Sequence, residues 1–388
     1  MKEFDVVIVG GGASGCFCAL ALQKKLRVAI VDPNLFLAKK LLVTGNGKCN
    51  LTNLITKDKS YNQNLTCFFE RFNCNNTIEF FDSLGLKTYA DEEGRVYPVS
   101  NSAKSVVEII DFYLNKNKNL KFINGSVVKI TQENHKYKIE TENQTILCNK
   151  VVIATGGNTA KNILNNFNIA FKQSYPSLVA LKTKQISNRL DGLRVSNVKV
   201  CCITKNNKHS EFGEVLFKKN GLSGICVFNL SCFFAREGCF NGKVYINLLP
   251  QYTDQKLYNI LKQNFNMFNT AQNAVIALLH KQLAIEVLYR SNIDIQASCN
   301  QVTDKQLKTL TNNILNLEFD VVDYFDNNQV YSGGVDLKQL DNNLQSSNYN
   351  NMYFCGEVCD VDGLCGGYNL QWAWTSAFIV AKAIEGEQ

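Results

Sequence analysis

Three glycines, Gly10, Gly12 and Gly15, stand in G-x-G-x-x-G register, and an acid, Asp32, closes the apolar run that follows them. Residues of these types at this spacing bind a dinucleotide. Gly10 permits a tight turn. Gly12 leaves the backbone open to a pyrophosphate, and Gly15 lets a helix lie close to a sheet. The N–H groups and positive dipole of a helix starting at Ala13 and Ser14 favour phosphate. Asp32 accepts hydrogen bonds from both ribose hydroxyls, and its charge disfavours a 2′-phosphate. The expected ligand is therefore FAD or NAD rather than NADP.

Two further segments have site chemistry. Residues 39–53, KKLLVTGNGKCNLTN, combine Gly45 and Gly47 with polar Thr44, Asn46, Lys48, Asn50, Thr52 and Asn53. Such a loop approaches a flat ring closely and hydrogen-bonds its edges, and Lys40 and Cys49 travel with it. In residues 356–374, GEVCDVDGLCGGYNLQWAW, Gly366 and Gly367 precede a helix. Free N–H groups at that helix start would stabilise the negative charge of a reduced flavin. The cofactor set here is Gly356, Glu357, Gly366, Gly367, Tyr368, Asn369 and Leu370. Glu357 is assigned to the ribityl hydroxyls, with turn capping as the alternative, whereas Trp372 and Trp374 are read as core. Ala154, Thr155 and Gly156, at the end of the run 150–157, and Val128, in the run 121–130, complete the set.

The elements that must hold these residues follow from periodicity. Phe4 to Val9 and Arg27 to Val31 read as buried strands flanking a helix, Ala13 to Leu22. Residues 121–130, 135–142 and 150–157 read as further strands. From about 186 to 250, short β runs separated by Asn, Gly and Lys turns suggest a small sheet or barrel closed by Pro250. From 254 to 316, Leu257, Ile260, Leu261 and Phe265, then Ile276, Leu279, Leu283 and Val287, recur at helical spacing. Glycines return after about 328, and the chain ends in a helix over 369–384. The expected class is α/β, a Rossmann-like dinucleotide-binding domain, for FAD or NAD, interrupted by an insert with a β part, a small sheet or barrel, and a helical part. The expected borders are 1–185 with 326–388 for the FAD domain, 186–253 with 317–325 for the barrel, and 254–316 for the helices.

Composition is permissive. The 388 residues are 45% hydrophobic and 19% charged, with net charge +7. That charge suits an anionic cofactor as well as nucleic acid. Lys and Arg are dispersed along the chain rather than gathered into a tract interleaved with aromatics, which argues against a nucleic-acid partner. No apolar stretch reaches the ~20 residues of a membrane span. A strand entered by Phe4 leaves no room for a signal peptide, so a cytoplasmic location is expected. Fifteen cysteines without a C-x-x-C pair, and only three histidines, are read as reduced core thiols without a metal site.

The chain resembles the BaiN-like flavoproteins, NAD(P)/FAD-dependent oxidoreductases related to aminoacetone oxidase. The resemblance is carried by GGGASG, by residues 39–53, and by GRVYPVSNSA (94–103), VIATGG and PSLVAL (176–181). It continues through GEVLF and GLSG (213–224), INLLP, SGGVDL (332–337) and YFCGEVCDVDGLCGGYNLQWAW, in family order. It implies a two-dinucleotide-like flavoprotein fold with FAD in the first domain and a barrel plus helical insert. Lys48 stands where the family has Arg, Tyr331-Ser332 stand where Thr precedes GGV, and the stretch after ATGG is shortened. A second G-x-G-x-x-G is absent, so no dedicated nicotinamide domain is expected.

The expected function is that of an FAD-dependent oxidoreductase, with hydride moving between flavin N5 and a small organic substrate, or NAD(P)H bound transiently over a non-covalent flavin. The alternatives are an RNA-modifying or RNA-binding flavoprotein and a redox-inactive FAD-binding scaffold. No catalytic acid or base is assigned; His135, His209 and His280 lie outside the flavin motifs.

Overall fold

The computed structural model describes residues 2–55, 60–157, 159–184, 186–326 and 330–386. It divides into two compact units, residues 1–177 with 328–388, and residues 178–327.

The first unit opens with β1 (Lys2–Val9), α1 (Ala13–Ala21) and β2 (Val28–Asp32). β2 is buried along its whole length, as a strand covered on both faces must be, and β1 pairs parallel to it, Val6 to Val28 through Val9 to Val31. β3 (Thr52–Asn53), β4 (Thr88–Ala90) and β5 (Arg95–Pro98) form a small antiparallel sheet, and α2 (Thr66–Phe69) and α3 (Cys74–Ser83) lie between β3 and β4 in sequence. α4 (Ala103–Lys116) then leads to β6 (Leu120–Asn124), β7 (Val127–Glu133), β8 (Lys136–Thr141) and β9 (Thr145–Ile153). The run 121–130 is thus two strands, broken at Gly125-Ser126. After α5 (Ala160–Ile163), β10 (Phe171–Ser177) closes the N-terminal part.

The second unit contains β11 (Leu181–Thr183), β12 (Arg194–Ile203), β13 (Lys208–Lys218), β14 (Gly221–Ser223), α6 (Ile225–Arg236) and β15 (Gly242–Asn247). Helices α7 (Asp254–Met267), α8 (Ala271–Ile276), α9 (Lys281–Arg290) and α10 (Asp304–Leu315) follow, and then β16 (Leu317–Tyr324). The six strands close an antiparallel barrel in the order β11-β14-β13-β12-β15-β16. Val198, Val200, Val215, Phe217, Val244, Ile246 and Phe319 point inward, each fully buried. Helix stripes such as Leu257–Leu261–Phe265 and Leu307–Leu310–Ile314 join that same core. Thr253 and Thr303 cap α7 and α10; Thr303 does so with Gln306 as a capping box.

Two expectations change here. The border was placed at 185, itself outside the described residues, but β11 already belongs to the barrel, paired to β14 and β16. Residues 225–236 fall in the segment read as β and form α6, whose apolar residues are nearly continuous and show no helical stripe.

The chain re-enters the first unit with β17 (Val330–Val335), antiparallel to β10, then β18 (Met352–Phe354) and α11 (Tyr368–Glu385). The main sheet runs β6-β2-β1-β9-β8-β7, and β18 pairs parallel with the C-terminal part of β9. Trp374 is fully buried against Phe17 and Phe81, with ring centroids 5.2 and 5.4 Å away, as core tryptophans pack. Among the described residues no helix is long and apolar enough to cross a membrane.

Candidate functional site

The turn after β1 is tied to both neighbouring strands. Gly10 N–H donates to the Val31 carbonyl (2.8 Å), and Ala154 N–H donates to the Val9 carbonyl (2.8 Å). Gly11 N–H donates to Asp32 Oδ2 at 2.7 Å, while Asp32 Oδ1 accepts from the backbone and side-chain N–H of Asn34, each at 2.8 Å. Asp32 is thus fixed at the end of β2 by donors on two sides.

The three motif glycines are required for different reasons. A Cβ on Gly10, whose φ is +108°, would lie 2.3 Å from the Ala154 carbonyl oxygen, and one on Gly15 would lie 1.9 Å from that of Gly10. Both are excluded by the fold itself. A Cβ on Gly12 meets nothing within 4 Å, and Gly12 has an ordinary extended φ of −77°. Gly12 opens on a cavity of about 350 Å³, so whatever fills that cavity is what excludes a side chain there.

The cavity lies wholly within the first unit. Of the residues assigned from sequence it brings together Gly10, Gly12, Ala13, Ser14, Asp32, Lys40, Thr44, Ala154, Thr155, Gly156, Glu357, Asn369 and Leu370. Thr155 Oγ1 is buried with no hydrogen-bond partner among the described residues, a vacancy that a ligand hydroxyl or phosphate oxygen would fill. Glu357 pairs with Lys40, both carboxylate oxygens 3.2 Å from Nζ, and accepts from Gly157 N–H at 3.2 Å. Lys40 also sits 5.9 Å over the Tyr331 ring.

The remaining assigned residues are placed elsewhere. Gly15 packs α1, and a Cβ on Gly356 would collide with Ser14 Oγ at 2.3 Å. Val128 is half exposed on β7, away from the cavity lining. Gly45 and Gly47 (φ +55° and +82°) turn the 3₁₀ segment Lys39–Gly47, and Lys48 follows at its C-terminal end. Cys49 is buried, and burial pushes its thiol up to about 12. Gly366 and Gly367 (φ +122° and +97°) shape the start of α11, where a Cβ on Gly367 would strike the Thr52 carbonyl at 2.6 Å. Tyr368 donates its hydroxyl to the Ile55 carbonyl. Asn50 Oδ1 is buried without a partner among the described residues and lies close to Gly367. Asn369 lines the cavity with its first-turn backbone, but its side chain is committed to Gly363, bonding both its N–H and its carbonyl at 2.9 Å. These residues interlock the 44–53 loop with the tail, a connection reinforced by Trp374 Nε1–H donating to the Leu51 carbonyl at 2.8 Å.

Several lining residues were not assigned from sequence: Gly11, Asn34, Phe36, Gly157, Tyr331 and Trp372. Trp372 is core, as expected, and donates to the Gly356 carbonyl at 3.1 Å, yet it also borders the cavity. Asn34, two residues beyond Asp32 in the turn, could have been found from the Asx pattern. Tyr331 carried a signal as well, since it stands where the family pattern has Thr.

The donor set fits FAD. It offers an open glycine beside a helix N-terminus, an acid at the end of β2, an orphan hydroxyl, and a second helix N-terminus whose first N–H groups have no intrahelical acceptor. When bound, FAD supplies hydride exchange at N5. The buried thiols offer no competing redox group: burial pushes Cys16 and Cys355 up to about 12, so both stay protonated at neutral pH.

A family model described as the HI0933-like protein Rossmann domain matches residues 4–383. The chain is similar to a 3-dehydro-bile acid delta(4,6)-reductase of Clostridium scindens, 29% identical over 97% of this chain and 98% of that protein. It is also similar to a ribosomal RNA dihydrouridine synthase of Escherichia coli, 28% identical over 98% of each. Among solved structures, an E. coli quinol fumarate reductase overlaps 100% of this chain and 71% of that chain at TM-score 0.47 and 12% identity.

Proposed function

We propose that this chain, which belongs to the HI0933-like Rossmann family and is an FAD-dependent oxidoreductase, moves hydride between non-covalently bound FAD and a carbon–carbon double bond conjugated to a carbonyl. The observation that carries the cofactor half is Gly12, the one motif glycine whose missing side chain faces only the cavity. In this reading Gly12 and the start of α1 hold the pyrophosphate, Asp32 the ribose, and Thr155 a cofactor oxygen. The Asn369 and Leu370 N–H groups favour negative charge on the flavin ring edge.

The substrate half comes from chemistry that two relatives share in their names. A delta(4,6) reductase of a 3-oxo steroid and a synthase of dihydrouridine each saturate a double bond that a neighbouring carbonyl makes electron-poor. A small-molecule enone is the leading substrate class, and NAD(P)H bound transiently is the electron source. The E. coli relative favours a second reading, in which the acceptor is the C5=C6 bond of uracil in RNA.

The test is a half-reaction series. The protein is reduced anaerobically with NADH or NADPH and mixed with cyclohexenone, or with unmodified ribosomal RNA followed by mass spectrometry for dihydrouridine. Return of the oxidised flavin spectrum with cyclohexenone supports the leading reading, and dihydrouridine formation supports the second. A flavin that molecular oxygen re-oxidises but neither acceptor does sinks both.

A further inference from the structure

The positive charge of the chain is unevenly placed. Residues 178–327 hold 17 Lys and Arg against 12 Asp and Glu, while the rest of the chain, though longer, holds 24 against 22. Within the barrel the charge is sorted again. On the outward side of β16, Glu318 and Asp320 are engaged by Lys243. The β12–β13 hairpin is different. Val198, Val200, Cys202, Val215 and Phe217 face the core, so the alternate residues face out. Those include Arg194, Lys199, Lys208 and Lys218, in a register that sets Lys199 directly beside Phe212. The carboxylate on this outward row, Glu214, is held by Arg194 at 2.7 Å.

Phe212 is 66% exposed, and the Lys199 ammonium lies 5.4 Å from its ring centroid. Water does not favour such an aromatic, but a stacked base does. Asn197 and Gln251 line a recess beside it, placing amide groups where base edges would lie. Lys208 to Lys218 spans about 33 Å of strand, enough for cations to follow a backbone over several nucleotides.

We propose that the outward face of the β12–β13 hairpin docks single-stranded RNA, with Phe212 stacking a base and Lys199, Lys208 and Lys218 meeting phosphates. The charge of the face selects a polyanion, and the exposed ring beside a cation selects one with bases. Around Phe212 the face carries Ser210 and Lys199 together with Pro250 and Ile203, and its lysines on both sides of the ring favour a polyanion with bases over a protein or lipid surface. The proposal rests on the second functional reading only for what the RNA is used for; binding is tested apart from turnover.

The experiment uses the full FAD-loaded chain and a 5′-fluorescein-labelled 20-residue oligouridine, followed by anisotropy at 50 and 200 mM KCl. Binding should weaken as salt rises. Phe212→Ala should weaken it about tenfold. Lys199→Gln with Lys208→Gln should weaken it similarly and reduce the log–log salt slope by about 1.4, at ~0.7 per phosphate contact of a single strand. The charge-matched pair Lys256→Gln with Lys262→Gln on α7 should leave affinity unchanged. Flavin absorbance and melting temperature should match wild type in every variant. Absence of RNA binding, equal loss in the α7 pair, or equally tight binding of polyglutamate overturns the proposal. If RNA binding is absent while reduced protein still turns over cyclohexenone, this face is refuted and the enone reading stands. If RNA binds and cyclohexenone fails, the reverse holds.

Discussion

The two units of this chain solve packing in opposite ways. Of 24 glycines, 18 lie in residues 1–177 and 328–388, and six in residues 178–327. The first unit is a mostly parallel sheet whose strand ends bring backbones together so closely that side chains are excluded at Gly10, Gly15 and Gly367. The second is a closed antiparallel barrel that alternates apolar and polar residues and meets such close backbone approach at Gly221, Gly224 and Gly242, beside its strand ends rather than around a cavity. Close backbone approach is what a cradle for a dinucleotide requires, whereas alternation leaves a continuous outer face free for charge. One unit spends its sequence on the interior of a cavity and the other on a surface.

The largest test of that contrast compares two glycines of one motif. Gly12→Val should abolish FAD binding, at least a hundredfold, and leave the thermal unfolding of cofactor-free protein nearly unchanged, because its side chain meets only the cavity. Gly15→Val should cost more than about 3 kcal/mol of stability, since its Cβ would overlap a backbone carbonyl. Equal flavin content in wild type and Gly12→Val would place the cofactor elsewhere.

A second test uses alkali. Burial raises Cys16, Cys49, Cys148 and Cys355 of the first unit to about 12, and Cys18 and Cys359 well above 9. In the second unit it raises Cys202 to about 12 and Cys226 to about 11, and it raises Cys299 as well. Thiols with raised folded values contribute stability that is complete below pH 9 and lost as pH climbs from 9 towards 12. Each contributes about 1.4 kcal/mol per pH unit across that window. The first unit should therefore lose stability more steeply. Both tryptophans lie in it, so their fluorescence should report unfolding at lower pH than far-ultraviolet dichroism, which follows the whole chain.

Smaller effects follow within the cavity. Thr155→Val should weaken FAD binding roughly two- to tenfold while leaving cofactor-free protein as stable or slightly more so, because it removes an unpaired buried hydroxyl. Titration of apoprotein with FAD, followed by flavin fluorescence, measures the first effect and calorimetry the second. Smallest of all, Glu357→Gln breaks an ion pair whose Lys40 partner is 46% exposed. It should change stability by less than about 1 kcal/mol, and less again at high salt. A larger loss would give the pair a structural role beyond its charge.

The head of the chain was legible because glycine spacing, apolar runs and a terminal acid are local patterns, and each corresponds to one element. The barrel was legible as a class, since Val198–Val200–Cys202 and Val244–Ile246 alternate visibly. What sequence could not supply was distance closed by folding. Lys40 and Glu357 meet across 317 positions, and Gly367 is a glycine because of Thr52. Residues 45–50 and 366–368 carry the composition of a binding loop, and in the fold several of them also join the 44–53 loop to the tail beside the cavity. The helix α6 escaped because a nearly continuous apolar run has no period to read. The lysines of the β12–β13 hairpin look dispersed because alternate facing spaces them apart in sequence while setting them on one face.

The re-entry of the chain at residue 328 also sets a schedule for synthesis. Gly10 to Asp32 leave the ribosome long before Tyr331, Glu357, Leu370 and Trp372, which close the same cavity. At about 5–20 residues per second, residues 178–327 alone take roughly eight to thirty seconds to translate. Throughout that interval β9 waits without β18 beside it, and α1 waits without α11. FAD uptake is therefore expected to need α11, and a truncation before Tyr368 should leave a colourless protein even though every glycine of the opening motif is present.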